Sequence, residues 1–143
     1  MGSGHREGHS YLALLGLRRY DPLHVVAEIR RGFSYAALER FQRNTDLPHD
    51  VLARVIGTPS RTLARRKAAG RLGADESDRL ARAARVFARA IELFEGNVEA
   101  ARDWLTAPVR ALGGRSGVDL MGTDAGAIEV EQLIGRLEHG LPA

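Results

Sequence analysis

The chain has 143 residues, of which 44% are hydrophobic and 27% are charged. This composition is typical of a folded domain, or of two small modules that share a core, and it excludes a disordered chain. No apolar stretch reaches the roughly eighteen residues of a membrane-spanning helix, and the polar N-terminus lacks a secretory signal. There is no cysteine, which excludes disulfides and thiolate metal sites, and the chain is expected to be cytoplasmic.

The two parts of the chain differ in charge. Residues 1–90 carry 17 basic and 9 acidic side chains, a balance of +8, whereas residues 91–143 carry 4 and 9, a balance of −5. A basic segment suits a polyanion such as DNA, and an acidic segment suits a protein partner. Solvated helix faces would give the same charges, so the asymmetry alone leaves both interpretations open.

Helical periodicity recurs along the sequence and no strand of useful length is evident, so the predicted fold is all-α. Residues 1–10 are expected to be flexible, and residues 11–17 form a short apolar run of uncertain conformation. The apolar positions after Pro22 predict a short helix that stops at Gly32, and Ser34 is a plausible N-cap for the next helix.

A helix-turn-helix is predicted over residues 48–69. Gly57 supplies the turn, and the small side chain of Ala53, four residues earlier, lets the second helix cross closely over the first. Thr58 is expected to be the N-cap of the second helix, with Pro59 at its first helical position. The side chains expected to fill the angle between the two helices are Leu52, Ile56 and Leu63.

In such a motif the second helix enters the major groove of DNA. Its exposed positions are expected to be Ser60, Arg61, Thr62, Arg65, Arg66 and Lys67. Side chains near the N-terminus of this helix would meet base edges, and its basic C-terminal end would hold phosphate. A basic helix that is simply solvated is the alternative.

Two further helices are predicted downstream of this motif. The longest helix of the chain opens at Asp75-Glu76 and continues to Gly96. Asn97 caps the next helix, in which Trp104 is expected to belong to the core.

A turning segment separates these helices from the last one. Pro108 is expected to interrupt the preceding helix, and Gly113-Gly114 and Ser116-Gly117 are expected to be loop.

The final helix is predicted to begin at Thr123 or Asp124 and to end at Gly140. Its apolar stripe is expected to consist of Ile128, Val130, Leu133, Ile134 and Leu137. The other face of this helix and the tail are expected to be exposed to solvent.

Two segments carry a distinctive pattern: FEGNVEAARDWLTAPVRALGG at 94–114 and DLMGTDAGAIEVEQLIGRLEHGLPA at 119–143. They closely resemble the C-terminal domain of the Xre/MbcA/ParS antitoxins, which pairs with RES-type toxins. The shared features are Ala100-Ala101, Trp104-Leu105, Pro108, Leu112-Gly113-Gly114, Leu120-Met121, Thr123-Asp124, Gly126, Glu129-Val130, Leu133, Gly135-Arg136 and Gly140. The upstream run from Gly57 to Leu80 looks like the Xre-like N-terminal part of that family, so the resemblance covers about residues 45–143.

Beyond the flexible N-terminus at 1–10, the resemblance implies two parts: a DNA-binding helix-turn-helix module at 11–90 and a toxin-binding domain at 91–143. It implies an antitoxin without chemistry of its own, whose last helix and tail cover the NAD pocket of a RES-domain toxin that depletes NAD. The residues that would face the toxin are Glu131, Gln132, Gly135, Arg136, Glu138, His139 and Leu141. A homodimer would bind the operator DNA of its own promoter.

Other functions are weighed against this one. His5 and His9 lie four residues apart, as in a helical metal pair, but no third ligand is evident, and residues 113–117 lack the lysine of a phosphate-binding loop. An enzyme, a metal site and a cofactor are therefore not expected. Two alternatives stay open: a plain transcriptional regulator whose C-terminal module only dimerises, and a protein-binding adaptor whose helix-turn-helix no longer binds DNA.

Overall fold

The computed structural model describes residues 11–17 and 21–141. Over these residues the fold is helical apart from one short hairpin, which confirms the all-α prediction. The helices are α1 (Pro22–Arg31), α2 (Tyr35–Thr45), α3 (His49–Ile56), α4 (Ser60–Ala69), α5 (Ala74–Leu93), α6 (Val98–Thr106), α7 (Gly117–Leu120) and α8 (Asp124–Glu138). The strands are β1 (Pro108–Val109) and β2 (Arg115–Ser116), and a 3₁₀ turn spans Arg110–Leu112.

Local sequence explains how α1 and α2 begin and end. Pro22 lies in the first turn of α1, where its missing N–H has no intrahelical partner to lose. Gly32 ends α1 with a φ of 88°, and a Cβ at this position would collide with the carbonyl oxygen of Leu72. The Ser34 hydroxyl accepts a hydrogen bond from the N–H of Ala36, which confirms the predicted cap of α2.

Helix α5 is the centre of the fold, because α1, α3, α6 and α8 all pack against it. Its fully buried apolar side chains are Leu80, Ala83, Ala84, Val86, Phe87 and Ala90. Phe87 meets Phe41 of α2 edge to face, with ring centroids 5.4 Å apart and an interplanar angle of 86°, a geometry that aromatic pairs favour. One core cluster therefore extends from α2 to α8.

The chain reverses direction between α6 and α8 through a hairpin of β1 and β2, in which Pro108 lies opposite Ser116. Gly113 and Gly114 both have positive φ, 70° and 79°, as the predicted reversal requires. The prediction that Ser116 and Gly117 belong to a loop is wrong. Gly117 is the first residue of α7, and Ser116 ends β2. Its hydroxyl accepts a hydrogen bond from the N–H of Asp119, 3.2 Å away, and so caps α7.

The last helix differs from its prediction on one face. Thr123 caps α8 and accepts a hydrogen bond from the N–H of Gly126, as expected. Ile128 was expected in the apolar stripe, but it is exposed, because Ala127 takes the inward position that precedes Val130 by three residues. The other residues of the stripe are buried or partly buried as predicted: Val130, Leu133, Ile134 and Leu137.

The predicted division between residues 90 and 91 falls inside α5, which continues without a break to Leu93. The division into two modules at this point stays a prediction drawn from the family resemblance. Residues 1–10, which were predicted to be flexible, lie outside the described residues. Within the described ranges, no helix is both long and apolar enough to cross a bilayer.

Candidate functional site on helices α4 and α8

Helices α3 and α4 form the predicted helix-turn-helix. Gly57 ends α3 in the left-handed region with a φ of 72°, and the N–H of Thr58 bonds the carbonyl of Ala53, 3.1 Å away. Ala53 is buried, so the two helices approach closely at this point. The side chains that fill the angle between them are the three predicted ones, all buried: Leu52, Ile56 and Leu63.

The predicted role of Thr58 as the N-cap of α4 is wrong. Helix α4 begins at Ser60 with Pro59 in the cap position, and no side chain accepts a hydrogen bond there. The Thr58 hydroxyl is buried and donates to Oε2 of Glu76, 2.7 Å away on α5. A tertiary partner therefore replaces the local cap that the sequence favoured.

Most of the predicted DNA-facing side chains do lie on the outer surface of α4. The exposed residues among them are Ser60, Arg61, Arg65 and Lys67. Thr62 is half-buried and accepts a hydrogen bond from Nη2 of Arg65, 3.1 Å away. Arg66 differs, because its side chain is 41% exposed and its Nε donates to Oε1 of Glu76 at 2.9 Å.

Glu76 is the residue that the sequence analysis missed. Its side chain is 7% exposed, and Oε1 also accepts a hydrogen bond from the N–H of Gly73, 2.7 Å away. Burial acts to raise the pKa of this carboxyl, but the hydrogen bonds from Gly73, Thr58 and Arg66 outweigh it, so the pKa is lowered. The sequence showed Glu76 at the start of a helix and within the run that resembles the Xre-like part, and neither signal reveals its partners on other elements.

A second side chain of α5 holds the same turn from its other side. Arg79 donates from Nη1 to the carbonyl oxygen of Ile56, 3.2 Å away, at the end of α3. Glu76 and Arg79 are three residues apart and so lie on one face of α5. Helix α5 thus holds both the end of α3 and the start of α4.

On α8, two of the predicted toxin-facing residues are engaged inside the chain. Arg85 of α5 donates from Nε and Nη2 to the two carboxylate oxygens of Glu131, at 3.0 and 2.9 Å. The hydrogen bonds to Glu131 raise the pKa of Arg85 against the opposing effect of burial. The expectation that Glu131 lies on a solvent face is wrong, because its side chain is only 16% exposed.

The next ion pair along these helices, between Arg89 and Glu138, has one hydrogen bond instead of two. Nη2 of Arg89 lies 2.9 Å from one oxygen of Glu138, and both side chains are about three-quarters buried. Arg82, earlier on α5, contacts Asp124 at the start of α8 at 3.9 Å. Three arginines of α5 therefore face acidic side chains of α8.

The outward face of α8 consists of other residues. Gln132, His139 and Leu141 are exposed as predicted, whereas Gly135 and Arg136 are half-buried. Two side chains that were not predicted as site residues join this face, since Ile128 and Glu129 are also exposed. This surface combines apolar and polar side chains and lies opposite the buried stripe of α8, with the ion pairs to α5 along one edge.

An exposed apolar surface also occurs on α1, where the sequence predicted only an inward face. Leu23 is 79% exposed and Val26 is 44% exposed, while Val25 between them is buried. Beside them lies a groove of about 290 Å³ between α1 and α5, with Ile29 and Ala81 among its lining residues. Large exposed apolar side chains grouped on one face are typical of an interaction surface.

Comparisons with known proteins match both parts of this architecture. Residues 24–85 match the Antitoxin Xre-like helix-turn-helix domain, and residues 89–140 match the Antitoxin Xre/MbcA/ParS C-terminal toxin-binding domain. An antitoxin Xre from Yersinia enterocolitica is 41% identical over 118 residues, which cover 82% of this chain and 80% of the relative. An antitoxin Xre from Photorhabdus laumondii is 34% identical over 119 residues, with the same coverage of both chains. The chain therefore belongs to the Xre family of type II antitoxins, with a helix-turn-helix followed by a C-terminal toxin-binding domain.

Proposed function

We propose that this antitoxin neutralises a RES-type, NAD-depleting toxin with the outward face of α8 and represses its own operon through α4. The observation that carries the proposal is that the two helices with these exposed surfaces, α4 and α8, are both held by side chains of the central helix α5. The first turns of α5 hold the helix-turn-helix through Glu76 and Arg79. Its later turns hold α8 through Arg85 and Arg89, so one helix positions both surfaces.

The DNA-binding role rests on the exposed side chains of α4. Ser60, Arg61 and Thr62 lie in its first turn, where a helix of this kind meets base edges. Arg65 and Lys67 follow on the exposed surface and suit phosphate contacts. Helix α4 contains no acidic residue, so the charge of its exposed side chains favours a polyanion.

The toxin-binding role rests on the outward face of α8 and the tail. Gln132, His139 and Leu141 are exposed, and Arg136 is half-buried beside them. Glu131 and Glu138, at the edge of this face, tie α8 to α5 and so contribute indirectly. A RES toxin would carry basic side chains for the phosphates of NAD, and the acidic charge of residues 91–143 complements such a cleft.

Helix α1 supplies a surface for the proposed homodimer. Leu23 and Val26 leave apolar area in contact with water, and a second copy packed on this face would bury it. Replacing both residues with glutamate should convert a dimer into a monomer without unfolding the chain, because neither side chain is buried. Light scattering after size exclusion measures the mass, and a wild-type monomer at micromolar concentration would contradict the dimer.

The function is tested by measuring NAD in cells that express the toxin-encoding neighbour of this chain, alone and together with the chain. We expect the neighbour to drain NAD and the antitoxin to restore it, and the two proteins to purify as a complex. If NAD never changes although the two proteins form a complex, the toxin belongs to another chemical class and the NAD-specific part of the proposal fails. If no complex forms, the plain transcriptional regulator becomes the better account.

A further inference from the structure

We propose that Glu76 is a positioning residue for DNA recognition, and that Arg66 is its internal partner and makes no phosphate contact. This inference rests on the proposed DNA-binding function and deepens it. Glu76 lies on α5 and so contacts no DNA itself in the proposed arrangement. Its carboxylate fixes the orientation of α4, which determines where Arg61 and Arg65 reach.

The carboxylate of Glu76 accepts three hydrogen bonds, from groups in and on either side of α4. Oε2 accepts from the Thr58 hydroxyl at 2.7 Å, in the turn that precedes α4. Oε1 accepts from Nε of Arg66 at 2.9 Å, in the last turns of α4, and from the N–H of Gly73 at 2.7 Å, in the connection that follows it. The carboxylate therefore holds α4 before its start, near its end and beyond its end.

Helix α4 needs such bonds because its apolar anchorage is small. Leu63 is the one fully buried side chain of this ten-residue helix in the described part of the chain. One buried side chain holds the helix at a point but leaves its direction free to change about that point. Hydrogen bonds to a buried charged group are about twice as strong as neutral ones and fix that direction.

The connection after α4 is held by further bonds to its backbone. Leu72 donates to the carbonyl of Phe33 at 2.9 Å, and Tyr35 donates to the carbonyl of Gly70 at 2.9 Å. The N–H of Phe33 in turn donates to the buried hydroxyl of Ser77 on α5, at 2.8 Å. The C-terminal end of α4 is thus anchored to the backbone, whereas the side that carries Arg66 depends on the carboxylate.

A purely electrostatic role and a positioning role predict opposite effects of Glu76→Gln on the affinity for the specific DNA sequence. Removing a negative charge beside a basic helix should strengthen binding to any DNA, because the net positive charge of the surface rises. Loss of orientation should instead weaken binding to a specific sequence while leaving sequence-independent binding unchanged. The sign of the change therefore separates the two roles.

The test uses the full chain with two DNA probes: a duplex from the region upstream of its own reading frame, and a shuffled duplex of equal length. We expect E76Q to bind the upstream duplex about tenfold more weakly, as the loss of a charged hydrogen bond predicts, with binding to the shuffled duplex not weakened. Asp75→Asn is the matched control, since Asp75 is exposed and has no hydrogen bond or ion pair among the described residues. It removes the same charge one residue away and should weaken neither complex.

Arg66→Gln provides a second variant that keeps the fold, because this side chain is partly exposed. If Arg66 acts through Glu76, R66Q and E76Q should weaken the upstream complex similarly, and the double variant should lose no more than either one. The salt dependence of R66Q should match that of the wild type, whereas loss of a phosphate contact lowers the slope by about one. E76Q that binds the upstream duplex as tightly as the wild type, or R66Q with a reduced slope, would overturn the proposal.

Hydrogen exchange separates this inference from the proposed function. If the wild type binds both duplexes equally, the operator function fails, and the positioning role is decided by amide exchange in the free protein. Faster exchange at residues 60–69 of E76Q, with residues 98–106 unchanged, supports a carboxylate that holds α4. Exchange at residues 60–69 equal to that of the wild type overturns it.

Discussion

Helix α5 contacts the basic helix α4 and the acidic helix α8. The α5 side chains that make these contacts are acidic near its N-terminus and basic farther along. Near its N-terminus a carboxylate, Glu76, binds the basic helix α4. Farther along, arginines bind the acidic side of α8, as the paired contacts of Arg85 with Glu131 show. Acidic residues in the first turn also suit the helix dipole, so at this end of α5 local and tertiary electrostatics agree.

The contacts of α5 with α4 and with α8 each leave other side chains of that helix exposed. On α4, Arg66 is drawn towards Glu76 while Arg61 and Arg65 remain on the outer surface. On α8, Glu131 is drawn inwards while the neighbouring Gln132 remains outside. A charged residue on a functional helix is therefore not necessarily a partner-binding residue, and the internal pairs identify those that support the site.

The largest effect is expected from Gly126→Ala, which should disrupt the packing of α8 against α7. A Cβ at Gly126 would overlap the backbone carbonyl of Leu120, which cannot move without displacing α7. We expect a loss of about 3 kcal/mol in the free energy of unfolding, measured in urea, and failure to bind toxin. Gly135→Ala is the control on the same helix, since its Cβ would meet only Nη2 of Arg89 at an ordinary 3.7 Å. That variant should be as stable as the wild type or slightly more stable, because alanine favours a helix.

The next effect concerns the pair of Arg85 and Glu131. Glu131→Gln should lower the free energy of unfolding by about 1–2 kcal/mol, since it breaks a two-bond contact with a carboxylate that is largely buried. Urea unfolding measures this loss, and DNA affinity is the internal control, because Glu76 and α4 are untouched. A variant that is fully stable but no longer binds toxin would show that Glu131 contacts the toxin directly, as the sequence first suggested.

A smaller effect follows from the lowered pKa of Glu76. Folding favours its ionised form, so the stabilisation is present above its ordinary value of 4.5 and is lost as the pH falls through the lower value of the folded state. The other charged side chains that line this region are Asp75, Arg66 and Arg79. The difference in unfolding free energy between wild type and E76Q should shrink below pH 4.5. A difference that is the same at pH 7 and pH 3 would contradict the role of the charge.

The smallest effect is expected from Glu138→Gln. Its single bond to Arg89 lies near the end of α8, where both side chains keep access to water. The loss should therefore be under about 1 kcal/mol, and thermal unfolding of E138Q beside E131Q gives the comparison directly. Equal losses of stability in E138Q and E131Q would show that an ion pair's contribution to stability does not depend on its burial or its number of hydrogen bonds.

Much of the fold could be predicted because its signals are local. Caps such as Ser34 and Thr123 and the turn at Gly57 lie where the sequence placed them, since each depends on neighbours within a few residues. Thr58 was misassigned because a hydroxyl that suits a cap also suits a distant carboxylate. Periodicity predicts which face of a helix is apolar, but it does not reveal the long arginine that covers Glu131.

The candidate site was therefore predicted in outline and corrected in its residues. The exposed surface of α4 follows from helical spacing, and so do Gln132 and His139 on α8. The partners of Arg66 and Glu131 are ten and 46 residues away in sequence, and no spacing rule connects them. These separations in sequence explain why Arg66 and Glu131, which are paired inside the chain, were expected to bind a partner.

The central claim is that one chain carries two separable surfaces, and one strain tests it. The strain expresses the neighbouring toxin, carries a reporter from the chain's own promoter, and receives either R61E/R65E or Q132R/H139R. The account predicts that R61E/R65E restores cellular NAD but leaves the promoter active, whereas Q132R/H139R silences the promoter but leaves NAD drained. Loss of both activities in each variant, with both proteins folded, would contradict the assignment of DNA to α4 and toxin to α8.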